Sequence, residues 1–104
     1  MSIVLLNPGP EHLGIAPPLG LAYIGGVLEE HGVEVRIIDL AVGDKLEEKT
    51  MNILGIHCHS SAHFPHVVEI ARNVKMQNPD VCIAVGGIFP TFYYEEFLKH
   101  SCID

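Results

Sequence analysis

The sequence is poor in basic residues and in long apolar runs. Thirteen acidic side chains stand against six basic ones, a formal charge of −7 at pH 7, and this balance would repel a nucleic acid backbone. The apolar runs are only a few residues long, far below the roughly 20 that span a bilayer, and the first residues lack the basic flank of a signal peptide. These features predict a cytoplasmic protein that binds neither nucleic acid nor a membrane.

Cysteine is scarce, and the common catalytic motifs are absent. Cys58, Cys82 and Cys102 are an odd number without a CxxC spacing, so neither a disulfide framework nor a zinc ribbon is indicated. Cys82 falls in an apolar run, where we expect a small core residue. The chain has no GxGxxG after its first predicted strand, no GxxxxGK[ST], no HExxH and no GxSxG. Dinucleotide, nucleotide, zinc-protease and hydrolase functions therefore lack their usual signatures.

What the chain does contain is apolar material for one domain. Its 104 residues are 48% hydrophobic and 18% charged, a composition typical of a packed globule. Short β-branched runs alternate with stretches of helical spacing. Strands are predicted at 3–6, 33–40, 53–56 and 81–85, and helices from Pro18 to about His31, from Val67 to about Gln77, and from Thr91, as N-cap, to about His100, with one short helix at 45–49.

Strands and helices that alternate at this spacing indicate parallel βαβ units. We therefore predict an α/β domain over residues 1–104, a three-layer flavodoxin-like (Rossmann-like) parallel sheet in the order 2-1-3-4. Residues 101–104 resemble the approach to another strand, so the fifth strand of this fold would be missing and the domain incomplete at its C-terminus. The short connection 41–52 also predicts that one face of the sheet is poorly covered.

The predicted fourth strand would then be an open, apolar edge of the sheet. Such edges present unpaired backbone groups and tend to acquire a partner strand. We expect this edge to pair with another chain, as in a homodimer, with a swapped segment or with a missing domain.

Ligands of such folds bind beyond the carboxyl ends of the strands, where three loops would meet. The loop 7–17 is rich in proline and glycine and contains Glu11 and His12. The loop 86–91 begins with Gly86 and Gly87, which form either a tight turn or a floor for a flat ligand.

The remaining loop, which follows the third predicted strand, holds four of the chain's seven histidines. His57, His59, His63 and His66 lie within ten residues, a density with which imidazoles bind zinc, nickel or copper. Solvated histidines of a loop and a helix end are the simpler interpretation. Cys58 is discounted as a nucleophile paired with these histidines, because adjacent residues of a strand point to opposite faces.

Four blocks of the sequence, at residues 17–24 (PPLGLAYI), 34–39 (EVRIID), 53–56 (ILGI) and 85–91 (VGGIFPT), resemble the N-terminal cobalamin-binding domain of cobalamin-dependent radical SAM enzymes. In that family the domain precedes a radical SAM barrel, which uses S-adenosylmethionine and a [4Fe–4S] cluster on a CxxxCxxC motif that this chain lacks. The resemblance implies a module of a methyltransferase-type enzyme that presents cobalamin to a barrel outside this chain. The alternatives are a cofactor-free structural remnant and a histidine-rich metal-binding protein.

The resemblance also implies which residues would contact cobalamin. Gly86 and Gly87 match the family and would line the pocket of the dimethylbenzimidazole tail, while His57 takes the strand-end position where relatives have serine or threonine. His12 lies in the loop from which related domains ligate cobalt, but their DxHxxG motif does not fit around it. The resemblance therefore implies cobalamin without a histidine lower ligand, or no cobalamin. The predicted contact residues are Asn7, Pro8, His12, Leu19, Gly20, His57, His59, Ser60, Ser61, Gly86, Gly87 and Ile88.

Overall fold

The fold is a four-stranded parallel sheet with helices on both faces. The computed structural model describes residues 1–10, 18–47 and 51–104. Strands β1 (Ser2–Asn7), β2 (Glu34–Asp39), β3 (Ile53–His57) and β4 (Cys82–Gly86) lie in the order β2-β1-β3-β4, and the helices are α1 (Leu19–Glu30), α2 (Phe64–Gln77) and α3 (Ile88–Leu98). This confirms the predicted flavodoxin-like α/β architecture.

Strand β1 is an interior strand, paired in parallel with β2 on one side and with β3 on the other. Its run of Ile3, Val4, Leu5 and Leu6 is buried throughout, since one face of the strand packs under α1 and the other under α2 and α3. A strand covered on both faces has no position for an alternating polar residue. The uninterrupted apolar run in the sequence is the consequence.

The larger core lies between the sheet and helices α2 and α3. Helix α2 presents Val67, Ala71 and Val74 at the spacing of one helical face, and all three are fully buried. They pack against the same face of all four strands. The strand and α3 residues of this core include Val4, Leu6, Ile38, Leu54, Ile56, Ile83 and Phe97.

A smaller core lies on the other face, under α1. Leu21 of α1 is buried against Ile3 and Leu5 of β1, with Leu28 and Val35 packed around them. Helix α1 packs on β1 and β2, while α2 and α3 both pack on the opposite face. The α1 face of β3 and β4 is therefore open. A β2-to-β3 crossover lies on the opposite face, because it moves along the sheet in the same direction as β3 to β4, so this opening does not follow from the short connection 41–52.

That open face explains one expectation that was wrong. Cys82 is exposed, whereas Cys58 and Cys102 are buried. Cys82 lies on the uncovered face of β4, where alternate residues point away from the core. An apolar run predicts a strand with apolar residues on both faces. It does not indicate which of the two faces a helix covers.

Two of the predicted helices differ from the structure. Residues 45–47 of the predicted helix 45–49 are not helical, the other two lie outside the described residues, and a 3₁₀ turn at Leu40–Val42 opens the connection instead. Helix α3 begins at Ile88, three residues before the predicted N-cap Thr91. The Thr91 hydroxyl donates back to the Gly87 carbonyl at 2.7 Å, a bond that a helical threonine makes to the preceding turn.

The segment 101–104 reaches the outer edge of β4, as expected. The Asp104 amide donates to the Ile83 carbonyl at 2.9 Å, and the Asp104 carboxylate accepts from the Ile83 amide at 2.8 Å. The same carboxylate pairs with the Lys75 ammonium of α2 at 2.6 Å. That a partner strand pairs with the remainder of this edge stays a prediction. In the described part of the chain, no helix has the length and apolarity needed to cross a bilayer.

We expect Val74→Ala to destabilise the fold and Val27→Ala to leave it nearly unchanged. Both valines are helical, but Val74 is 0% exposed and Val27 is 56% exposed. The first substitution leaves a cavity, with an expected loss of about 1.5–3 kcal/mol, and the second stays within about 0.5 kcal/mol. Urea denaturation followed by circular dichroism measures both values, and equal losses would contradict this description of the core.

Candidate functional site

The candidate site lies where the parallel strands end. Because β1, β3 and β4 run in the same direction, their last residues, Asn7, His57 and Gly86, share one edge of the sheet. Helix α1 begins at the same edge, since it follows β1. The described residues at the starts of the three predicted loops therefore lie at one edge, as the sequence predicts. His12, and Glu11 beside it, lie outside them.

A groove runs from this edge down the uncovered side of the sheet. It has a volume of about 510 Å³, within the range of about 300–1,000 Å³ typical of small-molecule sites. One wall is α1 and the floor is the open face of β3 and β4. Its lining residues are Ile3, Leu5, Gly20, Leu21, Ile24, Leu28, Ile53, Gly55, Ile56, His57, Ala84, Val85, Gly86 and Gly87.

The floor of the groove is built from very small residues. Gly55 of β3 is in register with Ala84 of β4, and His57 with Gly86. Since these pairs point to the same face of the sheet, neither strand places a long side chain beneath the middle of the groove. The floor is flat there, and a planar group is able to lie against it.

Gly87 allows two chain segments to approach closely at the mouth of the groove. Its φ of +118° lies in the region that favours glycine, and a Cβ here would lie 2.5 Å from the Cys58 carbonyl oxygen and 3.1 Å from His57 Nδ1. The preceding Gly86 has open space in place of a Cβ. Gly87 is thus required by the fold, whereas Gly86 keeps the groove empty.

The first turn of α1 supplies backbone donors at the mouth. The N-cap is Pro18, the helix has no side-chain cap, and its first turn contains no acidic residue. The amides of a first helical turn lack partners within the helix and carry a partial positive charge, a combination that favours phosphate groups. Gly20 of this turn lines the groove.

The four clustered histidines take different positions. His57 lies in the groove wall, and its ring centroid is 6.1 Å from that of the exposed His59, which in turn lies 6.4 Å from His63. His63 is hydrogen-bonded to the Ser60 hydroxyl at 3.0 Å, and His66 Nε2 donates to the Pro8 carbonyl at 2.9 Å. His66 therefore binds a loop of its own fold.

The predicted metal site is not assembled in this structure. Among the residues described, no three His, Cys, Asp or Glu side chains are placed to share one metal ion. His63 and His66 each have a ring nitrogen engaged by another group of the chain, so a site would require the rings to turn and exchange partners. The metal hypothesis for His57, His59, His63 and His66 stays a prediction without this support.

Burial favours the neutral forms of His57, His63 and Cys58. Burial, followed by the neighbouring His59 and His63 rings, lowers the pKa of His57, and burial likewise lowers the pKa of His63. Burial raises the pKa of Cys58 to about 11, and its thiol is hydrogen-bonded to the Ser60 carbonyl at 3.5 Å. The thiol is therefore inert at neutral pH, which agrees with discounting Cys58 as a nucleophile.

The remaining predicted contact residues divide into two groups. Gly20, His57, Gly86 and Gly87 line the groove. Asn7 instead donates its side-chain amide to the Asp39 carboxylate at 2.9 Å, and Pro8 is fully buried. Leu19, His59, Ser61 and Ile88 are exposed and Ser60 half-buried, and none of these five lines the groove.

Sequence reasoning missed the residues that form the floor and walls of the groove. Leu21 and Ile24 fall in the predicted helix from Pro18 to about His31, and Gly55 and Ala84 fall in the predicted strands 53–56 and 81–85. None of the four is among the predicted contact residues. The available signal was the pair of small residues at interior strand positions, since glycine inside a strand often marks a close approach by a ligand.

This arrangement defines the class of protein as a flavodoxin-like α/β domain with a groove at the carboxyl edge of its sheet. The chain belongs to the B12-binding domain family, whose model, described as B12 binding domain, matches residues 11–104. The resemblance drawn from the sequence is confirmed.

Three similar proteins have established names. The chain is 32% identical to the anaerobic magnesium-protoporphyrin IX monomethyl ester cyclase of Synechocystis sp., over 100% of this chain and 24% of that protein. It is 28% identical to the protein of the same name from Rubrivivax gelatinosus, over 97% of this chain and 20% of that protein. It is 30% identical to the hopanoid C-3 methylase of Methylococcus capsulatus, over 81% of this chain and 18% of that protein. The chain thus spans a quarter or less of the length of these relatives.

Gly87→Ala should destabilise the fold, and Gly86→Ala should not. A methyl group at Gly87 meets the Cys58 carbonyl in an unfavourable backbone conformation, with an expected cost of about 1–3 kcal/mol or more. At Gly86 the methyl group enters open space, so the change stays within about 0.5 kcal/mol. Denaturation midpoints of the two variants provide the comparison. A tolerated Gly87→Ala would contradict the close approach described here.

The two shifted histidines predict that stability decreases with acidification. Their pKa values are lowered in the folded chain, so below about pH 6.5 the unfolded chain binds more protons than the folded one. Stability is then highest above that pH and falls as the pH decreases toward the folded pKa values. Replacing His57 and His63 by Gln should flatten this part of the profile, measured from urea midpoints between about pH 7.5 and about pH 5.5. The exposed His31, replaced by Gln, is the control, and an equally flattened profile there would contradict the assignment.

Proposed function

We propose that the chain is a cobalamin-binding module that presents its cofactor to a catalytic domain elsewhere in a longer, methyltransferase-type radical SAM protein. The observation that carries this proposal is the apolar groove with its floor of Gly55, Ala84 and Gly86. It opens at the edge of the sheet where this fold binds ligands. Membership of the B12-binding family supports cobalamin as that ligand.

The residues present fit the nucleotide tail of cobalamin. The flat floor and the apolar walls of Leu5, Leu21 and Ile24 suit a planar aromatic base, and the close turn at Gly87 leaves the mouth unobstructed. The uncapped first turn of α1 suits the phosphodiester of the tail. When bound, cobalamin would supply a cobalt centre that carries a methyl group or takes part in redox chemistry.

This chain's own contribution would be binding and orientation. The groove shields the tail from water, the α1 amides hold its phosphate, and the half-buried His57 is the polar side chain of the wall. Leu5, Leu21 and Ile24 would hold the base of the tail in the groove and so fix the orientation of the cofactor. Whether a histidine replaces the base rests on His12, which lies outside the described residues.

The catalytic steps would belong to another domain. The relatives are at least about four times as long as the aligned region, which covers 24%, 20% and 18% of them. A radical SAM barrel with S-adenosylmethionine and a [4Fe–4S] cluster is the partner that the family resemblance implies. The three free cysteines fit a reducing compartment such as the cytoplasm.

We expect the purified chain to bind hydroxocobalamin near one equivalent, with a shift of the visible spectrum from base-on to base-off. Ala84→Leu fills the floor of the groove and should weaken binding by about tenfold or more through steric exclusion. Cys82→Leu places the same side chain on the same face of β4, outside the groove lining, and should bind as the parent chain does. Titration followed by visible absorbance measures all three.

Loss of cobalamin during gel filtration of the folded parent chain would contradict the proposal and favour the cofactor-free remnant. Equal weakening by Ala84→Leu and Cys82→Leu would place the cofactor outside this groove.

A further inference from the structure

We propose that the groove selects cobamides by their lower base. It would take an apolar aromatic base with at most one hydrogen-bonding atom, a benzimidazole or a phenol, and discriminate against purines. This inference rests on the proposed function, because it concerns the base that the groove would hold. It follows from how few polar groups the groove offers below its mouth.

The side chains of the groove are almost all apolar. Of the residues that line it in the described part of the chain, His57 alone carries a polar side chain, and the rest are aliphatic residues or glycine. Ile3, Leu5 and Leu21 of the walls are themselves buried, and the floor at Ala84 and Gly86 is exposed, so a base lying in the groove would displace water from an apolar surface. A polar atom of a bound base would find one partner, at the level of His57.

The backbone of the floor offers no substitute. The amides and carbonyls of β3 lie in the plane of the sheet and are used in pairing with β1 and β4, so they do not project into the groove. The amides of the first turn of α1, which lack partners within the helix, lie at the mouth instead. These suit a phosphate and lie at the mouth rather than on the floor.

The candidate bases differ in what they require. A benzimidazole held away from cobalt keeps one free ring nitrogen, which His57 is able to satisfy, and a phenol joined through its oxygen keeps none. Adenine keeps several ring nitrogens and an exocyclic amine. Each polar group left unsatisfied on burial weakens binding roughly 5- to 150-fold. The groove therefore discriminates by the number of polar atoms that a base buries.

The test compares three cobamides, with benzimidazole, phenol and adenine bases, in their dicyano forms. Excess cyanide keeps each base off the cobalt, so the comparison does not include the strength of the cobalt–base bond. Equilibrium dialysis against the 104-residue chain, with detection of the corrin absorbance, gives the three dissociation constants. We expect the adenine form to bind at least about tenfold more weakly than both of the others.

A matched pair of serine variants tests whether the floor is responsible. Ala84→Ser places a hydroxyl on the floor, where it supplies a partner for a purine. The ratio of the dissociation constant of the adenine form to those of the other two should then fall about threefold or more. Cys82→Ser places a hydroxyl on the same face of β4, two residues away and outside the groove lining. It should leave this ratio of dissociation constants unchanged.

The outcomes separate the inference from the function on which it rests. Equal dissociation constants for the three cobamides, or tightest binding of the adenine form, would overturn the selection and leave cobalamin binding intact. A ratio of dissociation constants that falls equally in Cys82→Ser and Ala84→Ser would also overturn the selection by lower base. Retention of none of the three cobamides would reject the proposed function, and the inference with it.

Discussion

The handedness of the crossovers determines which face of the sheet each helix covers and which part is left open. A parallel strand–helix–strand unit is right-handed, so its helix lies on a face set by the direction in which the chain moves along the sheet. From β1 to β2 the chain moves one way, and from β3 to β4 it moves the other. Helix α1 therefore lies on one face and α2 on the opposite face, and the α1 side of β3 and β4 remains open.

The contents of the groove follow from this topology. An open sheet face beside a helix becomes a site only if the floor is not filled by its own side chains, and Gly55, Ala84 and Gly86 leave it empty. The close contact of Gly87 with the Cys58 carbonyl then brings the ends of β3 and β4 together. The Cys58 amide donates to the Gly86 carbonyl at 2.8 Å across the same point. The hydrogen bonding between β3 and β4 thus continues to the mouth of the groove and fixes the shape of the groove there.

The sequence was sufficient for what depends on local pattern. The buried strands, the apolar stripe of α2 and the strand order follow from periodicity and from the crossover rules. Three other features depend on tertiary packing, which a local sequence pattern does not encode. Cys82 is exposed because no helix covers its face of β4, α3 begins at Ile88 because the left-handed Gly87 already ends the turn, and the loop histidines diverge because a 3₁₀ turn at Ser61–His63 follows β3.

The charge distribution is consistent with a binding module for a phosphate-containing cofactor. A chain with thirteen acidic and six basic residues would repel a phosphodiester if its carboxylates stood at the mouth of the groove. Helix α1 has no acidic residue in its first turn and ends in Glu29 and Glu30, at the opposite edge of the sheet. The first-turn amides, which lack partners within the helix, would therefore meet a phosphate without a carboxylate in that turn. With Cys58 neutral and buried, the described residues of this edge are suited to holding a cofactor, whose chemistry is then its own.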